Sequence, residues 1–388
     1  MIASIEVPPV LRIGGGAVGE LPGVLAELGV TRPLLVTDPV MVELGHADRV
    51  TELLRAADVP HAVFHDTEPE PSEGSVLRGV AAFRAEPFDG LVALGGGSAI
   101  DSAKAIGVLA RHGGSIRDHA VPNEVTATAV PLVAIPTTAG TGSECTRFTV
   151  ITDEVNGEKL LCRGRGFLPA AALVDHEFTR TAPARLSADT GIDALTHALE
   201  AYVSRRASPF TDDLALAAMT RLAANVERVC AAPEDEAARA DMMLGATLAG
   251  MAFSNASVAL VHGMSRPVGA FFHVPHGLSN AMLLPAVTRF SVPAARARYA
   301  RAAIAMGFGT PDADDDANCE ALVAGLSALN RRLEVPGPAA WGIDRDAWFT
   351  SLPTMAEQAL ASGSPANNPR VPTTDEMIAL YTEVWGNA

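Results

Sequence analysis

Cysteine is scarce in this chain: four residues, Cys145, Cys162, Cys230 and Cys319, with no CxxC pair among them. That scatter argues against a disulfide framework and suits reduced thiols, so a cytoplasmic protein is expected. Basic residues are outnumbered, 29 against 45 acidic ones, which leaves a formal charge of −16. A surface of that sign repels nucleic acid and anionic membranes, so neither is an expected partner. Long apolar runs are missing too: none reaches the ~18–20 residues of a membrane helix. The opening stretch MIASIEVPPVLRI has no basic segment followed by an apolar one, and is not expected to act as a secretory signal. Internal repeats and low-complexity tracts are absent.

What is present is core. Apolar residues make up 48% of 388 positions and charged residues 19%, enough to bury two domains of ordinary size. In the first half, short apolar runs end in turn or polar residues: 33–38 (PLLVTD), 61–66 (HAVFHD), 90–98 (GLVALGGGS) and 131–138 (PLVAIPTT). Helical stretches lie between them, so a parallel sheet covered on both faces is expected. From about Ser187 the strand signals fade and long Ala- and Leu-rich amphipathic stretches follow. The expected organisation is an α/β domain over 1–182 and an all-α domain over 183–388.

Two glycine loops compete for a dinucleotide. Gly14-Gly15-Gly16-Ala17-Val18-Gly19 fits G-x-G-x-x-G literally, and Asp38 follows at roughly the 20-residue distance that fingerprint asks. Pro8 and Pro9 make the preceding segment a poor central strand. Gly95-Gly96-Gly97-Ser98 instead follows the strong strand LVAL and opens a helix, and is preferred for the diphosphate. Ser98 and Asp101 are spaced as a capping box at that helix start. Asp38, ending its strand, suits a ribose diol and repels a 2′-phosphate, which favours NAD over NADP; a solvated acid is the alternative. A third stretch, Pro136 to Glu144, carries Thr137, Thr138 and Thr141 with two glycines after a buried strand. Its alternative is an ordinary polar loop.

Asp193 and His197 stand four apart in the helical stretch GIDALTHALE, so they share one helix face. His262 and His276 follow further on. Three imidazoles and one carboxylate suit Fe(II), Zn(II) or a similar ion with a position open to substrate. Singly, each is equally at home as a satisfied core or surface residue.

With GGGSAIDSAKAI, IPTTAGTGSE, GIDALTHALEAYVS, VHGMSRPVGAFFHVPHGLSNAMLLP and ANNPRVPTTDEMIALY in that order, the chain resembles the iron-containing (group III) alcohol dehydrogenases over nearly its whole length. That family includes lactaldehyde reductase and propanediol oxidoreductase. The resemblance implies an N-terminal dinucleotide-binding α/β domain and an all-α metal domain, a dehydroquinate synthase-like fold. It implies NAD as cofactor, Fe2+ or alternatively Zn2+ as metal, and Asp193, His197, His262 and His276 as ligands. It assigns the diphosphate to Gly96, Gly97 and Ser98, lines the cofactor with Thr137, Thr138, Thr141 and Lys159, and gives Asp38 the NAD preference. Asp101 belongs to the same cofactor set through its helix start. The loop at 14–19 then becomes a decoy.

Two places depart from the family pattern, and in one of them the segment after Lys159 is more basic than expected, with Arg163 and Arg165. Where a second histidine often follows the third ligand by four residues, this chain has Arg266, so the proton-relay group is open. His273 is a candidate relay, with a surface histidine as its alternative. Arg266 is a candidate for reading an anionic substrate tail, with a structural ion pair as its alternative. The expected activity is hydride transfer between NAD(H) and a small alcohol or aldehyde, in a homodimer or larger homo-oligomer. A dehydroquinate synthase-like lyase and a catalytically silent NAD- and metal-binding subunit are the competing expectations.

Overall fold

Short apolar runs build one parallel sheet in the N-terminal half of the chain. The computed structural model describes residues 2–386, and divides into two units, Ser4–Ala182 and Pro183 onward, the latter joined by residues 2–3. The sheet contains β1 (Val10–Ile13), β2 (Pro33–Val36), β3 (Ala62–Phe64), β4 (Gly90–Gly95) and β5 (Leu132–Pro136). A separate antiparallel hairpin follows, β6 (Phe148–Asp153) with β7 (Glu158–Arg163), and then the last sheet strand, β8 (Ala171–Val174). The strand order is β1-β8-β5-β4-β2-β3, with every pair parallel.

Successive strand residues point to opposite faces. Leu34, Val36, Leu91, Ala93, Leu132 and Ala134 enter one core, with α4 (Glu73–Ala85) and α5 (Gly97–His112) contributing Val76, Val80, Ile100 and Ile106. Leu35, Val92, Leu94, Val133 and Ile135 enter the other, against α1 (Leu21–Glu27) and α3 (His46–Ala56); the short α2 (Pro39–Glu43) follows β2 directly. Burial on both faces explains why these strands read as continuous apolar runs. β1 follows Pro8 and Pro9 and lies at the sheet edge, the position a proline-flanked strand tolerates.

Chain progression reverses between β2 and β4: β2 runs outward to β3, whereas β4 runs back through β5 to β8. The carboxyl ends of strands at such a reversal form the crevice in which α/β sheets bind ligands.

After Val174 no strand occurs among the described residues. The second unit contains α6 (Ala184–Val203), α7 (Pro209–Ala231), α8 (Glu236–Ala256), α9 (Leu260–Phe272), α10 (His276–Ser291), α11 (Arg296–Ala305), α12 (Asp315–Arg332), α13 (Pro338–Trp341), α14 (Arg345–Ala361) and α15 (Thr374–Gly386). α6 is buried along most of its length. Gly191 on α6 has room for no side chain: a Cβ there would lie 2.7 Å from Val226 of α7 and 2.8 Å from Met242 of α8. Gly277, in the first turn of α10, makes a similar close approach, because a methyl there would land on the carbonyl oxygen of Asp189 in α6. That contact seats the start of α10 directly against α6.

Candidate active site

Three loops meet at the carboxyl ends of β2, β4 and β5. Asp38 follows β2 and caps α2, its Oδ1 accepting from the Met41 N–H at 3.0 Å. Its Oδ2 faces the glycine turn: a Cβ on Gly95 would lie 3.1 Å from it. Gly95 has φ +148°, a conformation that excludes ordinary side chains. Gly96 and Gly97 carry the chain into α5. A Cβ on Gly96 would lie 3.5 Å from the Thr138 side chain, and one on Gly97 would lie 2.9 Å from that of Thr141. The Thr137 N–H donates to the Gly95 carbonyl at 3.0 Å, tying the loop after β5 to the loop after β4. Gly96, Gly97, Ser98, Thr138 and Thr141 remain half-buried and so present a partly open surface. A 16-residue helix starting there adds a partial positive charge suited to a diphosphate.

One sequence expectation about this region is corrected. Ser98 and Asp101 form no capping box; Gly96 is the N-cap of α5 and no side chain caps it. The carboxylate of Asp101 is spent elsewhere, with Oδ1 accepting from Ser143 Oγ at 2.6 Å and Oδ2 from the Val150 N–H at 3.0 Å. It anchors the segment after Thr141 to α5. Lys159 stands on β7 and donates to Glu70 at 2.9 Å, so its hydrogen bond goes to an exposed acid and not to the glycine loop. The literal G-x-G-x-x-G at 14–19 follows the edge strand β1 and leads into a 3-10 helix of four residues, Ala17–Glu20.

A lysine the sequence reading passed over is central here. Lys104 of α5 is buried and gives its ammonium to Ser143 Oγ (2.8 Å), Thr146 Oγ1 (3.0 Å) and the Phe148 carbonyl (2.8 Å). Burial pushes its pKa down, opposed by the charges of Asp101 and Glu144. All three donors are used, which makes a buried ammonium tolerable.

In the helical unit, one ligand atom from each of Asp193, His197, His262 and His276 lies within 4.8 Å of the others. Asp193 Oδ1 is 3.9 Å from Nε2 of His197, 3.6 Å from that of His262 and 3.7 Å from that of His276. The first two residues are one turn apart on α6, His262 is on α9, and His276 is the first residue of α10. Asp193, His197 and His262 are buried, whereas the His276 side chain is 48% exposed, so the cluster opens on that side.

Two carboxylates govern His262. Its Nδ1 is 2.7 Å from Glu200 Oε2, which leaves Nε2 facing the cluster. Glu200 also accepts from the N–H groups of Ala259 (2.8 Å) and Val261 (2.5 Å) at the start of α9. Burial pulls the His262 pKa down, but Asp193 and Glu200 outweigh it and raise it to about 9. Burial pushes the Asp193 carboxyl up, but His197, His276 and His262 hold it well below the usual carboxylate range. Asn280, one turn into α10, donates to Asp193 Oδ1 at 2.6 Å; its Nδ2 is 3.2 Å from Nε2 of His262 and 3.3 Å from that of His276. Its Oδ1 is buried with no hydrogen-bond partner. His197 stacks on Phe253, centroids 4.2 Å apart. A buried carboxylate amid converging imidazoles, with an orphaned amide oxygen beside them, fits a divalent first-row cation.

Neither Glu200 nor Asn280 was singled out from sequence, although spacing carried a signal for both. Glu200 lies seven after Asp193 and Asn280 four after His276, the positions that return to one helix face. The two remaining candidates lie on α9 and at its end. Arg266 is half-buried and makes no hydrogen bond or ion pair among the described residues. His273 is the C-cap of α9 in the left-handed conformation, φ 52°, with an exposed side chain.

The sequence matches the family described as iron-containing alcohol dehydrogenase over residues 8–176, and the C-terminal part of the same family over residues 187–385. The chain belongs to the iron-containing alcohol dehydrogenase family. Among the relatives of this alcohol dehydrogenase is the NAD-dependent methanol dehydrogenase of Bacillus methanolicus, 36% identical over 96% of this chain and 97% of that protein. Lactaldehyde reductase of Escherichia coli K12 is 35% identical, again over 96% of this chain and 97% of that protein. The crystal structure of a 1,3-propanediol oxidoreductase superposes with a TM-score of 0.95 at 35% identity, covering 99% of this chain and 100% of that one.

Proposed function

We infer that this alcohol dehydrogenase transfers a hydride between NAD(H) and a small alcohol or aldehyde. The observation that carries the reading is the convergence of Asp193, His197, His262 and His276, from three helices, around one point that is open beside His276. When bound, a divalent ion there polarises the alcohol or aldehyde oxygen, and the nicotinamide of the dinucleotide supplies or accepts the hydride.

The residues themselves do the positioning. Glu200 Oε2 accepts a hydrogen bond from the Nδ1–H of His262, so that Nε2 presents its lone pair to the cluster. Asn280 holds the Asp193 carboxylate in place. Gly96, Gly97 and Ser98 bring the backbone and the α5 N-terminus against the diphosphate, and Thr137, Thr138 and Thr141 line the same cradle. Asp38 offers its uncapped Oδ2 to the adenosine ribose and repels a 2′-phosphate, which selects NAD over NADP. The exposed His273 is the group we assign to proton exchange with solvent.

All four cysteines are free, as suits a reducing cytoplasm. Among the described residues no further strand pairs with the outer edge of β1, a surface open to pairing in a homodimer or larger homo-oligomer.

The test is reconstitution with Fe(II) or Zn(II), followed by NADH oxidation against a panel of small aldehydes. One NAD+ formed per alcohol is expected. Conversion of substrate without net NADH consumption identifies a lyase instead, and no turnover at full metal occupancy identifies a silent subunit. Light scattering on the eluted protein reads the oligomeric state.

A further inference from the structure

Arg266 sits one helical turn beyond the metal ligand His262 on α9, so the two side chains share a helix face. Several arginines elsewhere in the helical unit reach acids: Arg185 reaches Asp189, Arg298 reaches Asp212, Arg332 reaches Glu227 and Arg370 reaches Glu376. Arg266 has neither an ion pair nor a hydrogen bond among the described residues, in a chain with 45 acids to 29 bases. The acid whose charge acts on it is Glu200, and Glu200 is already committed. Its Oε2 serves the His262 ring and the Ala259 N–H, and its Oε1 serves the Val261 N–H. The half-buried guanidinium therefore keeps its charge without a counter-ion of its own, an arrangement that is costly unless an anion arrives.

We propose that Arg266 is the subsite for an anionic tail on the substrate, so that the preferred substrates are short aldehydes and alcohols bearing a carboxylate, sulfonate or phosphonate. A planar fork of N–H donors pairs bidentately with each of these groups. One helical turn is about 5.4 Å, a distance that places the tail only a few bonds from the reacting carbon. That carbon takes the hydride of NADH, its oxygen takes a proton, and the tail is unchanged. The inference rests on the oxidoreductase reading of the same site and narrows its substrate class. The acidic surface does not oppose it, because surface charges beyond about 10 Å are screened at ordinary salt.

Butanal and succinate semialdehyde have the same chain length and differ in one terminal carboxylate. With the metal-loaded enzyme, succinate semialdehyde is expected to be favoured in kcat/KM by at least about tenfold, the worth of one charge-assisted pair. Arg266→Gln removes that preference, mostly through KM, and leaves both butanal turnover and the KM for NADH within about twofold. Arg266→Lys restores part of it. A native preference for butanal, an equal loss on both aldehydes in Arg266→Gln, or a rise confined to the KM for NADH overturns the proposal. If neither aldehyde oxidises NADH, the oxidoreductase reading fails on its own, and titration calorimetry with succinate still decides the anion site. Binding by the native protein that Arg266→Gln loses supports the site, and equal or absent binding in both sinks it.

Discussion

His262 Nδ1 lies 2.7 Å from Glu200 Oε2, and the same carboxylate accepts from backbone N–H groups at the start of α9. One side chain thus orients a metal ligand and seats the helix that carries it. Partners of this kind are worth 10–100-fold in metal affinity. Glu200→Gln is expected to weaken Fe(II) or Zn(II) binding by about that factor, with excess metal restoring much of the turnover. Competition against a chelator of known affinity measures it. Unchanged affinity shows that the Glu200 contact does not orient His262.

Asn280 tests the other side of the cluster. Its amide holds Asp193 Oδ1 at 2.6 Å, so Asn280→Ala frees that carboxylate to rotate. Metal affinity is expected to fall about tenfold while helix content by circular dichroism stays the same. A variant that binds metal as tightly as the native protein removes Asn280 from the centre.

Gly277 is the close approach that brings His276 to α6. A methyl at this position meets the Asp189 carbonyl, which is backbone and cannot swing aside. Gly277→Ala is expected to displace the start of α10 and abolish metal binding, at a stability cost of about 1–3 kcal/mol. Metal titration and denaturant unfolding check the two parts. Native-like metal binding in Gly277→Ala contradicts the packing described here.

Lys104 holds the segment that follows Thr141. Lys104→Met keeps the length but leaves the Ser143 and Thr146 hydroxyls and the Phe148 carbonyl without this donor. A loss of about 2–4 kcal/mol in urea unfolding is expected, together with weaker NADH binding by fluorescence titration. Full stability with native NADH affinity refutes the positioning role.

Asp38 is expected to set cofactor choice. Asp38→Gly removes the charge that repels a 2′-phosphate and also removes the α2 cap, itself worth about 1 kcal/mol or less. The NADPH-to-NADH ratio of kcat/KM is expected to rise at least tenfold. An unchanged ratio shows that Asp38 serves only as a helix cap.

The layered first half was legible because parallel strands buried on both faces leave unbroken apolar runs, as at 33–36, 90–95 and 132–136. Strands of lower contrast were not: VLRI after two prolines and AALV before Asp175 become β1 and β8 only through pairing with each other and with β5. The hairpin β6–β7 was likewise missed, and there Lys159 found Glu70.

The sequence alone determined the spacing within each helix. Asp193 and His197 share a face because a helix repeats every 3.6 residues, and Glu200 and Asn280 fall on the same faces by the same rule. Spacing is local, however, and carries no information about which faces meet. Only the packing of α9 and α10 on α6, permitted where Gly277 has no side chain, brings His262 and His276 to Asp193. The same packing decided which polar groups spend their bonds inside the protein, as Asp101 does on Ser143 and Val150, and which are left with a charge to offer, as Arg266 is. A hydrogen bond between residues distant in sequence exists only once the chain has closed the loop between them.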